Sequence, residues 1–156
     1  MAIGAPDTIL VVADWTVDAG AVAAECWFRA SERPAIFVLT VPAWLHGLDW
    51  AGDPRAAVPC ARRQLATLAQ RFLEAGLTVE VVGVGDPEPI SAITDALAEH
   101  EATEVLVFTR GRHVPAHPLD LVHRAHRATG LPVQRVAVTA ASRSGHCERE
   151  EQLLAA

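Results

Sequence analysis

Polar residues that could bind a ligand follow three apolar segments of this sequence. These residues are Asp14 and Thr16, Gly85-Asp86-Pro87, and Arg110, Gly111 and Arg112. Asp14 could bind a ribose hydroxyl or a ligand amine, and arginine forks suit phosphate or carboxylate. Structural alternatives stay open for each group. Asp14 could cap a helix or turn, Gly-Asp-Pro is an ordinary turn sequence, and the arginines could lie in a solvated loop.

Histidines are concentrated just beyond these arginines, at His113, His117, His123 and His126. Zinc would require three or four convergent ligands with supporting hydrogen bonds. No cysteine is nearby, and we expect His123 to face solvent beside Arg124 and Arg127. We therefore expect no metal site, and the role of this group stays open.

Two tryptophans, Trp44 and Trp50, flank the loop WLHGLDW, and Trp15 follows the first apolar segment, where it favours a filled pocket. Trp44 and Trp50 could stack on a planar ring. Alternatively, they could fill the pocket or anchor the loop WLHGLDW to its own core, because large aromatic side chains bury much apolar area. Filling and anchoring are favoured over ring binding.

Catalysis receives little support from the residue types. All 13 basic residues are arginine, and the chain contains no lysine, asparagine or tyrosine. A phosphate-binding lysine, a Schiff-base lysine and a tyrosine acid are thereby excluded. No serine lies in a nucleophile elbow, so we expect a protein that is not an enzyme.

Composition indicates an ordinary soluble protein. The chain has 156 residues, of which 51% are apolar and 21% charged, and its net charge is -6. We expect a domain over residues 1–138 and a flexible tail or short appended helix over 139–156. There is no basic excess for nucleic acid, no membrane-length apolar run and no signal sequence, so we expect a cytoplasmic protein. Cys26, Cys60 and Cys147 are widely spaced, and no disulfide framework is expected.

Strands and helices alternate along the chain. Continuous apolar runs predict strands buried on both faces. The strands are expected over Thr8–Ala13, Ala35–Val41, Thr78–Val84, Glu104–Phe108 and Leu131–Val138. The helices are expected from Ala19 to about Ala30, from an Asp53 cap to about Ala75, over Pro89–Glu101 and over Leu119–Thr129. This order predicts an α/β fold, a doubly wound open five-stranded parallel sheet with helices on both faces.

The sequence resembles the universal stress protein family over residues 7–138. The similar segments are Asp14-Trp15-Thr16 after the first strand, Gly85-Asp86-Pro87 before a helix with Ile90, EVLVFTRGR over Glu104–Arg112, and Pro132-Val133 at the fifth strand. The resemblance implies a ligand crevice at the carboxyl ends of the strands. The candidate nucleotide- or ligand-binding residues are Asp14, Thr16, Val41, Gly85, Arg110, Gly111 and Arg112.

The phosphate motif of the ATP-binding members is incomplete in this chain. That motif has two glycines three residues apart, and after nine more residues a glycine followed by serine or threonine. Gly111 matches the second glycine, but Phe108 occupies the first position. The final pair falls on Leu121-Val122 or, counted back from Pro132, on Leu119-Asp120. Asp120 would then place a carboxylate beside the triphosphate, where like charges repel.

The resemblance therefore implies a non-catalytic regulatory or binding protein of the stress response, without standard ATP binding. It implies a homodimer formed through the edge strand Leu131 to Val138, with an unidentified protein partner or small ligand. We expect no cofactor, although ATP or AMP stays possible. The alternative is a nucleotide-binding regulator whose phosphate site is remodelled around Arg110, Arg112 or His113. A nucleotide hydrolase is less favoured, because Asp14–Gly20 lacks a serine- and glycine-rich loop.

Overall fold

Five parallel strands form the centre of the computed structural model, which describes residues 4–45, 52–111 and 120–139. The strands are β1 (Asp7–Ala13), β2 (Ala35–Pro42), β3 (Thr78–Gly85), β4 (Glu104–Arg110) and β5 (Val133–Val138). The helices are α1 (Ala19–Glu32), α2 (Val58–Glu74), α3 (Pro89–Glu99) and α4 (Leu121–Thr129). The strand order is β3-β2-β1-β4-β5, so the expected doubly wound sheet is confirmed.

The two faces of the sheet carry separate hydrophobic cores. Side chains alternate along a strand, so Val11 of β1 packs towards α1 and α2 while Val12 packs towards α3 and α4. Phe37 and Phe72 meet edge to face in the first core, with ring centroids 5.7 Å apart. The chain changes direction across the sheet between β1 and β4. Ligands of such folds bind outside the carboxyl ends of the strands at this point.

The start of α2 differs from the prediction. The helix begins at Val58, and Asp53 instead caps a turn by accepting a hydrogen bond from the Arg55 amide at 2.9 Å. A helix starting at Pro54 would place Pro59 beyond its first turn, where the missing N–H and the ring are unfavourable. With the start at Val58, Pro59 lies in the first turn, where proline is tolerated.

Strand β4 is longer than predicted. It continues through Thr109 and Arg110, which pair with Ala137 and Val138 of β5. Arg110 is consequently the last strand residue and not part of the following loop. The predicted tail over residues 139–156 lies, except for Thr139, outside the described part of the chain.

The cysteines differ from one another. Cys26 is a buried free thiol, and burial raises its pKa above the ordinary value. Cys60 is disulfide-bonded, so the expectation of no disulfide is wrong for this residue.

No helix in the described segments is long and apolar enough to cross a membrane.

Candidate ligand site

Asp14 forms hydrogen bonds within the fold at the end of β1. Only 3% of its surface is exposed, and its Oδ1 accepts a hydrogen bond from the Thr16 amide at 3.1 Å. The Asp14 amide donates to the Phe108 carbonyl at 3.0 Å, which ties the ends of β1 and β4 together. This geometry matches the turn-cap alternative, because the carboxylate satisfies a backbone donor two residues ahead.

Packing within the fold involves three further candidates. Thr16 is buried, and its Oγ1 has no hydrogen-bond partner in the described part of the chain. Val41 is fully buried in the core below α1 and α2. Gly85 lies against α3, where an added Cβ would be 2.7 Å from the Ala92 Cβ. Close packing therefore accounts for the glycine at position 85.

Trp15 and Trp44 join the loops that follow β1 and β2. The Trp15 indole Nε1 donates to the Trp44 carbonyl at 2.8 Å, and both side chains are buried. Trp15 therefore holds the backbone of the second loop at Trp44. Trp50 lies outside the described residues.

Arg110 and Gly111 lie on an open surface depression with Ala137, Val138 and Thr139. Both residues are exposed, and Gly111 has a φ of 97°, which side-chain-bearing residues rarely adopt. The structure thus separates these two candidates from the buried group of Asp14, Thr16 and Val41. Arg112 lies outside the described residues.

A more enclosed pocket of about 580 Å³ lies on the other face of the sheet, between the start of α3 and the start of α4. Its apolar lining is Trp44, Leu45, Pro87, Pro89, Val107, Leu121 and Val122, and its polar lining is Glu88, Thr109, Asp120, Arg124 and Arg135. The volume is within the range of ordinary small-molecule sites. The tryptophans therefore leave space for a ligand in this region.

One ion pair in the pocket wall connects the two helices. Arg124 of α4 donates to Glu88 at 2.9 Å, and Glu88 also accepts a hydrogen bond from the Ser91 amide at 2.8 Å as the N-cap of α3. Burial alone would raise the pKa of the Glu88 carboxyl. The hydrogen bonds from the Ser91 and Ile90 amides and from Arg124 outweigh burial and lower this pKa.

The other polar groups of the pocket have fewer partners. Arg135 of β5 donates through Nε to the Thr109 Oγ1 of β4 at 2.7 Å. Asp120 is the N-cap residue of α4, yet its side chain makes no capping hydrogen bond. Among the described lining residues, one guanidinium and one carboxylate therefore remain outside the Arg124–Glu88 pair.

Sequence reasoning identified only part of this pocket. Trp44 and Asp120 were singled out, whereas Thr109 and Arg135 were missed as ligand-site residues. Their proximity depends on the β4–β5 register, which pairs Val107 with Arg135. The spacing of Thr109 and Arg135 along the chain does not indicate that they are close in space.

Phe108, at the position of the family's first glycine, is fully buried between β1 and β5 in the core below α1 and α2. Its side chain faces away from the pocket, because alternate residues of β4 point to opposite faces. A glycine here would leave a cavity in the core.

The histidines do not form a site within the described segments. His126 Nδ1 lies 2.7 Å from the Leu131 carbonyl, and His123 is exposed. No group of three metal-binding side chains occurs in the described part of the chain. His113 and His117 lie outside it.

Solved structures provide a direct comparison for this architecture. A universal stress protein in complex with cAMP matches with a TM-score of 0.58 and 17% identity, over 86% of this chain and 100% of the other. A universal stress protein family member from Burkholderia pseudomallei matches with a TM-score of 0.59 and 18% identity, over 83% and 95%. The universal stress protein from Archaeoglobus fulgidus matches with a TM-score of 0.56 and 19% identity, over 85% and 93%.

The chain has the universal stress protein fold. No protein-family model and no curated protein matches its sequence. The fold implied by the resemblance is therefore confirmed at low sequence identity. Three regions of this fold adjoin the carboxyl ends of the strands. They are the Asp14 turn, the Arg110 depression and the 580 Å³ pocket.

Proposed function

We propose that this chain is a non-catalytic, universal-stress-protein-like binding protein that acts as a cytoplasmic dimer in the stress response and lacks standard ATP binding. The supporting observation is the start of α4, where Asp120, Leu121 and Val122 line the pocket. The family's phosphate-binding members have glycine and a hydroxyl residue in this region. Small-ligand or partner binding would replace nucleotide binding.

Charge at the start of α4 opposes a triphosphate. A helix N-terminus attracts anions through its free amides, but the Asp120 carboxylate introduces a negative charge at the same place. Arg124 does not offset this charge, because it is paired with Glu88. A ligand with several negative charges is therefore disfavoured more than a ligand with one.

A remodelled nucleotide site is the second candidate function. Arg110 and Gly111 are exposed beside the end of β5, where they could contact phosphate oxygens. One protein of the same fold is a complex with cAMP. In this alternative, arginines perform the task of the missing glycine amides.

Calorimetric titration with ATP, ADP and AMP distinguishes the two candidate functions. We expect a Kd for ATP weaker than about 100 μM, which is roughly 5.5 kcal/mol of binding free energy. Mass spectrometry of the denatured protein should detect no co-purified nucleotide. Micromolar ATP binding by the unmodified protein would overturn the proposal in favour of the remodelled site.

Two variants test whether the residues at positions 119 and 120 cause the weak ATP binding. Leu119→Gly combined with Asp120→Ser should tighten ATP binding, because it removes the opposing charge and restores the Gly-Ser pair. Asp95→Asn removes an exposed carboxylate from α3 and should leave ATP binding unchanged. Phe108→Gly is unsuitable, since removing a buried phenyl ring costs about 3–5 kcal/mol of stability.

A further inference from the structure

The pocket between α3 and α4 has a mainly apolar lining. Trp44, Leu45, Val107, Leu121 and Val122 supply large hydrophobic surfaces around about 580 Å³. Binding of an apolar ligand against these side chains would be favourable because it removes apolar surface from water. The chemistry of the lining favours a ligand with an apolar body over a sugar-like or highly charged one.

Arg135 is the group that a ligand could neutralise. Its side chain is partly buried, its Nε is fixed by Thr109, and it forms no ion pair in the described segments. The terminal nitrogens of a guanidinium can donate two parallel hydrogen bonds to one carboxylate. Because the Thr109 contact already orients the planar group, less side-chain entropy is lost when a ligand binds.

Asp120 is a weaker candidate for a ligand charge. It lies at the N-terminus of α4, where the helix dipole favours a negative charge, although its side chain makes no capping hydrogen bond. Arg135 lies on a strand, and a strand supplies little compensating dipole. Among the described lining residues, the Arg135 guanidinium is therefore the charge with the less favourable surroundings in the free protein.

Trp44 supplies aromatic surface to the pocket wall. Its side chain lines the pocket, and 8% of its surface is exposed. The indole Nε1 is itself fully buried and has no hydrogen-bond partner among the described residues, so a ligand in the pocket would contact the ring and not this donor. Arg135 is therefore the donor that a ligand in the pocket can use.

We propose that this pocket binds a small apolar molecule that carries a single carboxylate. The carboxylate accepts hydrogen bonds from the terminal nitrogens of Arg135, and the apolar body packs between Trp44, Val107 and Leu121. This inference deepens the proposed function by naming the class of its small ligand.

Calorimetry with three naphthalene probes of similar shape tests the charge preference. 1-Naphthoate carries a carboxylate, 1-naphthylmethanol is neutral and 1-naphthylmethylamine is cationic at neutral pH. We expect 1-naphthoate to bind at least tenfold more tightly than either of the others. Equal binding of the three, preference for the amine, or no binding of 1-naphthoate at millimolar concentration would each overturn the inference.

Substitutions test the assigned residue. Arg135→Met should weaken 1-naphthoate binding at least tenfold and should leave 1-naphthylmethanol unchanged. Arg62→Met is the matched control, since Arg62 is exposed on α2 at the opposite face of the sheet. Thr109→Val frees the guanidinium without removing it and should weaken 1-naphthoate severalfold, which keeps the test informative should Arg135→Met fail to fold.

ATP titrated in parallel separates this inference from the proposed function. Loss of 1-naphthoate binding with ATP binding still absent contradicts only the carboxylate site. Micromolar ATP binding contradicts the proposed function. Unchanged 1-naphthoate binding by folded Arg135→Met removes Arg135 from the site, whatever ATP does.

Discussion

Gly85 shows how a residue at a ligand crevice can be required for packing alone. It ends β3, and its backbone carbonyl accepts a hydrogen bond from the Ala43 amide at 3.1 Å. An added Cβ would be 2.7 Å from the Ala92 Cβ and 3.2 Å from the Thr40 Oγ1. Real Cβ atoms essentially never approach another atom to 2.7 Å, so β3 or α3 would have to move.

We expect Gly85→Ala to lower the free energy of unfolding by about 1–3 kcal/mol, the usual cost of overpacking. Urea denaturation measures this change. Ala92→Gly removes the facing methyl group, so the double variant should be less destabilised than the sum of the single changes. Gly4→Ala is the control, because an added Cβ there has no neighbour within 4 Å. Strict additivity at positions 85 and 92 would show that the contact is not the cause.

The stability that the N-cap of α3 contributes depends on pH. Glu88 accepts hydrogen bonds from the Ser91 amide and from Arg124, and these lower its pKa below the ordinary value of 4.5. Its contribution to stability is therefore fully present above the unfolded-state pKa. This contribution is lost as pH falls through the lowered native pKa.

Glu88→Gln should consequently reduce the loss of stability that the protein undergoes between pH 6 and pH 3. Thermal unfolding across this range measures the difference, which will be small because the side chain is about half exposed. Glu99→Gln, at the exposed end of the same helix, should follow the parent protein. An identical pH profile for Glu88→Gln and the parent would contradict the assigned role of the cap.

The strands and helices show which parts of the fold could be predicted from the sequence. Continuous apolar runs such as TILVVA predicted the strands because both faces of this sheet are covered. The start of α2 was misplaced because Asp53-Pro54 and Val58-Pro59 are both acceptable beginnings, and only packing selects between them. The pocket was partly missed for a related reason: Thr109 and Arg135 are 26 positions apart and meet through strand register.

The two edges of the sheet differ in their capacity to pair with another strand. The β2–β3 register shifts between Leu39 and Thr40, and Gly83 has a φ of 141°. Such a bulge twists an edge and disfavours addition of another strand. Strand β5 pairs with β4 in an unbroken register from Val105 to Arg110, so its outer edge is the more regular one. The proposed dimer therefore uses β5.

Ala137→Pro tests this dimer with little damage to the monomer. The Val105 amide donates to the Pro132 carbonyl, and successive residues of a parallel strand point alternately towards and away from the neighbouring strand. The amide of Ala137 therefore faces the outer edge, and its loss should leave the β4–β5 ladder intact. We expect light scattering after size exclusion to give a dimer for the parent and for Ala137→Gly, and a folded monomer for Ala137→Pro. A parent protein that is monomeric at micromolar concentration would remove β5 pairing from the proposed function, and a dimeric Ala137→Pro variant would place the interface on another surface.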